Sequence, residues 1–426
     1  MHYFSTNRKS PPVSFRDAVL VGQPDDKGLY FPSEIPRLAS DLLKRLSSMS
    51  RESIAFEVIR PFVDDMTDET LFQICSETVN FDFPLVPLTE RITALELFHG
   101  PTLAFKDVGA RFMSRCLRYY SRDQEGKTVV LVATSGDTGG AVAAGFHGIE
   151  GIEVVIIYPK GKVSRVQELQ LTTLGGNVTA LELDGTFDDC QALAKRALAD
   201  TDLQVRLTSA NSINVARWLP QQIYYFYALA EWEGEPPIIS VPSGNFGNLA
   251  AGILAHVSGL PVRKFIAACN TNDVVPRFME SADYRPRPSV PTLSNAMDVG
   301  SPSNFVRILE IFGNKFIDLQ EKLEAVSVSD EATAATLRAV YRDHRYVLDP
   351  HGAVGFRALA EHLEQYPGTS GIFLETAHPV KFDSVNEILA EAVPIPPAVE
   401  ELFAKKAAAI AIRNDYDSLK ALLEAI

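Results

Sequence analysis

The sequence predicts an α/β protein built on open, parallel-rich sheets. From about residue 81, short runs of β-branched and aliphatic residues alternate with helix-length segments. Runs such as "TVVLVAT" and "EVVIIYP" are apolar along their length, as strands covered on both faces must be. Several runs end in a polar, glycine-rich turn that opens a helix of small residues, and open α/β sheets bind ligands just beyond such strand ends.

In chain order, residues 1 to about 80 read as a mixed N-terminal unit: "KGLYFPSEIPRL" as a Pro-rich loop, "SDLLKRLSSM" as a short helix, and "TDETLFQICSETV" as a helix opened by Thr67 or Asp68. The prolines of "NFDFPLVPLTERI" mark a boundary, which leaves residues 81–426 as a second region. There "ITALELF" predicts a strand, followed by a helix from about Ala104 to Tyr119. "TVVLVAT", "EVVIIYP", "VTALEL", "IISVPS" and "GIFLET" predict further strands, and the stretch from "SVNEILAEAV" to "SLKALLEAI" predicts helices packed on the outside.

At 426 residues the chain is too long for one small core. A formal charge of −14 argues against a nucleic-acid partner, while leaving room for a local anion pocket. The four cysteines are far apart with no CxxC pair, and no HExxH occurs, so a reduced cytoplasmic chain is expected rather than a disulfide scaffold or a metal site. "MHYFSTNRKSPPVSF" has no long apolar run, so neither a secretory signal nor a membrane partner is expected.

Three strand ends stand out. "VATSGDTGGAVAAG" offers hydroxyls, close backbone approach and a helix start that favours an anion. "IISVPSGNFGNLAAGIL" repeats the pattern, with successive N–H groups able to cradle a phosphate; it carries neither the Walker lysine motif nor GxGxxG. "GIFLETAHPVKF" would leave Thr376 pointing into a crevice. Lys106, in "HGPTLAFKD", opens a helix, where the positive dipole end disfavours an ammonium ion. An amine that is partly neutral suits a Schiff base, and beside two phosphate-friendly loops it suggests pyridoxal 5'-phosphate. In "NSINVAR", Asn211 and Ser212 offer neutral donors and Arg217 a cationic fork; taken alone, they read as a capped helix start with a solvated arginine.

Together "HGPTLAFKD", "TSGDTGGA", "NSINVARWLPQ", "VPSGNFGN" and "LDPHGAVG" resemble the threonine synthase family, within the fold-type II, tryptophan synthase β-like pyridoxal-phosphate enzymes. "SFRDAVLVGQPDDKGLYFP" resembles the N-terminal domain of that family's longer bacterial and fungal subgroup. The resemblance implies two open parallel-rich αβα domains plus an N-terminal α+β domain, with a smaller, mobile subdomain at about 106–205. It implies that Lys106 carries the cofactor, that Gly244, Asn245, Phe246, Gly247 and Asn248 hold its phosphate, and that Thr376 meets the pyridine nitrogen. Asp137 would lie near the phenolic oxygen. Ser135 and Thr138 would take the substrate's α-carboxylate, and Asn211, Ser212 and Arg217 its phosphate, with Lys160 and Lys162 adding positive potential. The implied reaction converts O-phospho-L-homoserine and water to L-threonine and phosphate, in a monomer or homodimer. A related phospho-lyase releasing 2-oxobutyrate, a serine or threonine dehydratase, and a non-catalytic anion- or metabolite-binding protein are the alternatives.

Overall fold

The computed structural model describes residues 1–122 and 126–426. The chain forms two compact units: the first holds residues 1–31, 106–217 and 395–426, the second residues 32–105 and 218–394.

The first unit is organised by a five-stranded parallel sheet in the order Ile410–Ile412, Val178–Leu183, Ile152–Pro159, Thr128–Ala133, Arg206–Ser209. Its central strands are buried along most of their length, as their unbroken apolar runs require. Leu131, Ile157 and Leu181 form a core with Leu193 of the helix Phe187–Ala199 and with Leu419 and Leu423 of the helix Tyr416–Glu424. The C-terminal stretch therefore differs from the expectation of helices lying outside. Ile410–Ile412 is an edge strand, and the last helix is part of the core. Three residues are too few to show a period of two, so the strand is hidden in the sequence.

The N-terminal residues of this unit are held by local hydrogen bonding. Tyr3–Ser5 pairs with Tyr30–Pro32, so the Pro-rich loop begins with a strand. The helix Phe15–Val21 is capped by Ser14, whose hydroxyl accepts from the Asp17 N–H. Its Phe15 ring lies 6.5 Å from Phe112 and 6.3 Å from Tyr120, both on the helix Lys106–Tyr120.

The second unit contains a six-stranded sheet in the order Leu323–Ser327, Lys264–Cys269, Ile238–Pro242, Gly371–Glu375, Ile92–Glu96, Leu85–Pro87. The first five strands are parallel; Leu85–Pro87 is an antiparallel edge, where proline is tolerated. Ile238, Ile266 and Phe373 pack against Ala353, Val354 and Leu359 of the helix Pro350–Gln365. The helix Asp68–Thr78 starts where the sequence places it, with Thr67 accepting from the Thr70 N–H at 3.3 Å. The helix expected from Ala104 begins instead at Lys106, because Leu103 is left-handed (φ 57°) and the N–H of Phe105 is given to the Thr376 carbonyl at 2.9 Å.

All four cysteines are free thiols and buried. Among the described residues, no helix is long and apolar enough to cross a membrane, and no group of three or more His, Cys, Asp or Glu could hold a metal ion.

Asp26 gives the N-terminal segment a pH dependence. Burial opposes its ionisation, but Ser5 Oγ and the N–H groups of Gly28, Lys9 and Ser10 donate to it at 2.6 to 3.0 Å and outweigh burial, lowering its pKa from 3.8 to about 2. A carboxyl depressed in the folded state contributes stability above pH 3.8, and that contribution is lost as pH falls through about 2. Melting temperatures measured between pH 5 and pH 2 should therefore fall less steeply in Asp26→Asn than in the parent, from a lower starting value.

Candidate active site

In the first unit, Thr128–Ala133 is the point where strand order reverses. The chain runs from it to Ile152–Pro159 on one side, and Arg206–Ser209 lies on the other. Connections leaving neighbouring strands in opposite directions open a crevice at their carboxyl ends. Ser135, Asp137, Thr138, Asn211 and Ser212 follow those two strands. Asn211 ties the two loops together: its Nδ2 donates to the Ala133 carbonyl at 3.2 Å, and its Oδ1 accepts from Ser209 Oγ at 3.3 Å.

The turn after Ala133 is shaped by Thr134, whose Oγ1 accepts from the N–H groups of Gly136 (3.0 Å) and Gly139 (2.8 Å). Gly136 has φ 142° and ψ −94°, and a Cβ there would lie 2.4 Å from the Gln167 side chain. A side chain at Gly136 or Gly139 would meet Gln167, Thr134 and Leu171 of the protein itself. Gln167 was not foreseen. It is buried, and its Nε2 donates to Asp137 Oδ1 at 2.9 Å, orienting the carboxylate. The Ser164–Gln167 capping box is readable in the sequence, but its reach to Asp137 is a tertiary contact. Ser135 and Thr138 are half-buried on the same turn.

Lys106 is half-buried and opens the helix Lys106–Tyr120, followed by the buried Asp107. One turn on, a Cβ at Gly109 would sit 2.5 Å from the Arg217 carbonyl oxygen, so bare backbone lets the helix press on residue 217. Arg217 is 4% exposed, not solvated. Burial pushes its guanidinium down to about 10, against the opposing pull of Asp107. The cap of the short helix Val215–Trp218 is neither Asn211 nor Ser212: Asn214 Oδ1 accepts from the Ala216 N–H at 3.0 Å, and its Nδ2 donates to the Val19 carbonyl at 3.0 Å. Lys160 makes an exposed ion pair with Glu182 at 3.8 Å, and Lys162 is exposed.

In the second unit, strand order reverses at Ile238–Pro242, with Lys264–Cys269 on one side and Gly371–Glu375 on the other. The loop 243–246 and Thr376 therefore flank that sheet's crevice. Phe246 is left-handed (φ 63°) and starts the helix Gly247–Val257, with its ring 5.6 Å from Phe305. Asn245 Oδ1 accepts from the Ser303 N–H at 2.6 Å, and Asn248 Nδ2 donates to the Pro242 carbonyl at 3.0 Å. Both amides thus engage the loop's own surroundings, and the first helical turn offers main-chain N–H groups with no intrahelical acceptor. Thr376 is 5% exposed; its carbonyl receives the Phe105 N–H, and the His378 N–H goes to the Leu103 carbonyl at 3.0 Å. The chain just before Lys106 is thus stitched to the segment that carries Thr376.

These residues fit pyridoxal phosphate. An eleven-residue helix start with glycine at its first position suits a phosphate, a neutral threonine suits a ring nitrogen, and a half-buried helix-opening lysine suits an aldehyde.

The family model described as pyridoxal-phosphate dependent enzyme matches residues 84–374. Models described as threonine synthase N terminus and threonine synthase, C-terminal match residues 2–79 and 352–423. The threonine synthase of Serratia marcescens is 43% identical over 406 residues, covering 94% of this chain and 93% of its own. That of Escherichia coli strain K12 is 42% identical over 408 residues, covering 94% of each. Among solved structures, the Escherichia coli threonine synthase superposes with a TM-score of 0.93 at 40% identity over 100% of both chains. A PLP-bound threonine synthase from Brucella melitensis gives 0.92 at 33% identity, over 100% of this chain and 99% of that one. Two parallel-rich sheets ending in anion-suited loops, with family models and relatives matched along nearly the whole length, make this chain a member of the threonine synthase family of fold-type II pyridoxal-phosphate enzymes.

Proposed function

We propose that this enzyme is a threonine synthase that converts O-phospho-L-homoserine and water to L-threonine and inorganic phosphate. The observation that carries the reading is the pairing, within one unit, of a helix-opening lysine and a buried arginine. Burial lowers the Arg217 pKa more than Asp107 raises it, so a further anion beside the guanidinium is favoured. A phosphorylated substrate supplies one, in the planar two-point geometry that arginine matches best.

In this reading Gly244, Asn245, Phe246, Gly247 and Asn248 hold the cofactor's phosphate, and Asp137, oriented by Gln167, faces its phenolic oxygen. When bound, pyridoxal phosphate supplies an aldehyde for an amine and a conjugated ring that delocalises the electron pair left at Cα. Thr376 meets the ring nitrogen with a hydroxyl, which does not hand over a proton as a carboxylic acid would, and this favours elimination over transamination. Ser135 and Thr138 take the substrate's carboxylate. Lys106, freed by the incoming substrate amine, removes the proton at Cα and then one at Cβ. Arg217, Asn211 and Ser212 receive the phosphate as it leaves Cγ. One proton then goes to Cγ and another to Cα, water's hydroxyl adds at Cβ, and the remaining proton leaves with phosphate. Lys160 and Lys162, both exposed, add positive potential at most from a distance. We place the enzyme in the cytoplasm, as a monomer or homodimer; its buried free thiols suit a reducing compartment.

The pure protein, incubated with O-phospho-L-homoserine, should release threonine and phosphate in equal amounts. Phosphate with 2-oxobutyrate instead would make it a phospho-lyase, and no phosphate at all would remove the reading. Lys106→Ala should lose the visible absorbance of the bound cofactor and about 10²–10⁴-fold or more in turnover.

Arg217→Lys keeps a charge beside Asp107 but loses the fork. It should retain cofactor absorbance while kcat/KM for O-phospho-L-homoserine falls by about a hundredfold. An unchanged kcat/KM would take Arg217 out of the substrate clamp.

A further inference from the structure

The second unit contains a buried polar chain that the reaction above does not use. Asp349, His351 and Glu375 are exposed by 0%, 3% and 0%. Asp349 caps the helix Pro350–Gln365, its Oδ1 accepting from the His351 N–H at 2.7 Å and from His351 Nδ1 at 2.5 Å. Its Oδ2 accepts from the Ala377 N–H at 3.3 Å, one peptide beyond Thr376. The Asp349 N–H donates to Glu375 Oε1 at 2.8 Å.

The proton positions follow from the partners. The Ala296 N–H donates into His351 Nε2 at 3.2 Å, so the ring proton is on Nδ1 and faces Asp349. Oε1 is the Glu375 oxygen that this network uses; among the described residues Glu375 Oε2 has no hydrogen-bond partner. Burial and the neighbouring Asp349 push the Glu375 acid well up. Space at the contact is minimal: a Cβ at Gly352 would lie 1.4 Å from Glu375 Oε2.

This chain ends at both cofactor-facing elements of the unit. At one end, Asp349 holds the backbone after Thr376, and Glu375 immediately precedes it. At the other, His351 holds the Ala296 N–H, and the main chain of 296–297 backs the phosphate loop so closely that a Cβ at Gly244 would lie 2.6 Å from Met297 Cα. We propose that Glu375, Asp349 and His351 are positioning residues that together fix the distance between the Thr376 hydroxyl and the Gly244 loop, so that the ring nitrogen and the phosphate of pyridoxal phosphate are gripped at once. The inference rests on the assignment of Thr376 and the Gly244 loop to the cofactor.

The test uses holoenzyme, reading the cofactor's dissociation constant and absorbance maximum together with the melting temperature after cofactor removal. Glu375→Gln keeps a side-chain oxygen able to accept the Asp349 N–H, and should match the parent in affinity and absorbance. Glu375→Leu and Asp349→Asn should weaken cofactor binding by about tenfold or more and shift the absorbance maximum. Asp349→Asn that folds and binds the cofactor with parental affinity and spectrum would overturn the proposal. So would loss of affinity in Glu375→Gln, because the Asp349 N–H would still have its acceptor. Should Asp349→Asn fail to fold, the contrast between Gln and Leu at 375 still decides: equal affinities overturn the proposal. A parent protein that binds no pyridoxal phosphate would instead remove the cofactor assignment itself.

Discussion

The reversal of strand order in a parallel sheet is the constraint from which the rest of this molecule follows. Strands that are covered on both faces cannot expose a ligand site along their length, so chemistry is confined to their carboxyl ends. Each sheet here reverses once, at Thr128–Ala133 in the first unit and at Ile238–Pro242 in the second. With few exceptions, the residues assigned to cofactor and substrate lie in the loops that leave these reversals. Lys106 is one exception, reached by a left-handed turn at Leu103 instead of a strand end. That turn is hydrogen-bonded to residues 376 and 378.

Legibility in the sequence followed the range of the interactions. Long apolar strands and the cap at Thr67 were readable because their signals are local. The glycine-rich turns were readable as sites, but the reason for their glycines was not. Gly136 is required by its own φ and by the Gln167 side chain, thirty-one residues away in sequence. Arg217 alone reads as a solvated arginine, and its burial beside Asp107 depends on helix packing at Gly109. Strands such as Arg206–Ser209 and Ile410–Ile412 are too short to display a period, and only their place in the sheet defines them. The family motifs located the loops, whereas the Gln167, Phe105 and Pro242 partners of Asp137, Thr376 and Asn248 became visible only with the tertiary structure.

The burial of so many polar groups near the strand ends has an energetic logic. An unpartnered polar group in the interior is costly, so each buried group needs a partner, and partnered groups are held in one orientation. Thr134 satisfies two N–H groups, Asn214 joins two segments, and Asp349 gathers donors from His351 and Ala377 while its own N–H goes to Glu375. Such networks tolerate little displacement, and a site needs that rigidity where small errors in position change the rate.

The charge of the chain sharpens the argument about how an anion is bound. At a net charge of −14, the surface repels a phosphorylated substrate at long range, but at physiological salt that repulsion is screened beyond about 8 Å. Recognition must therefore be local. The main-chain donors at the start of Gly247–Val257 carry no net charge, and Arg217 carries one in a setting that water barely enters. Buried or partly buried interactions are screened much less than surface ones, so the proposed anion sites would keep their strength where exposed lysines such as Lys162 would not. In the proposed reading, an acidic protein would thus bind phosphates by fixed dipoles and an enclosed arginine, with no need of a basic surface.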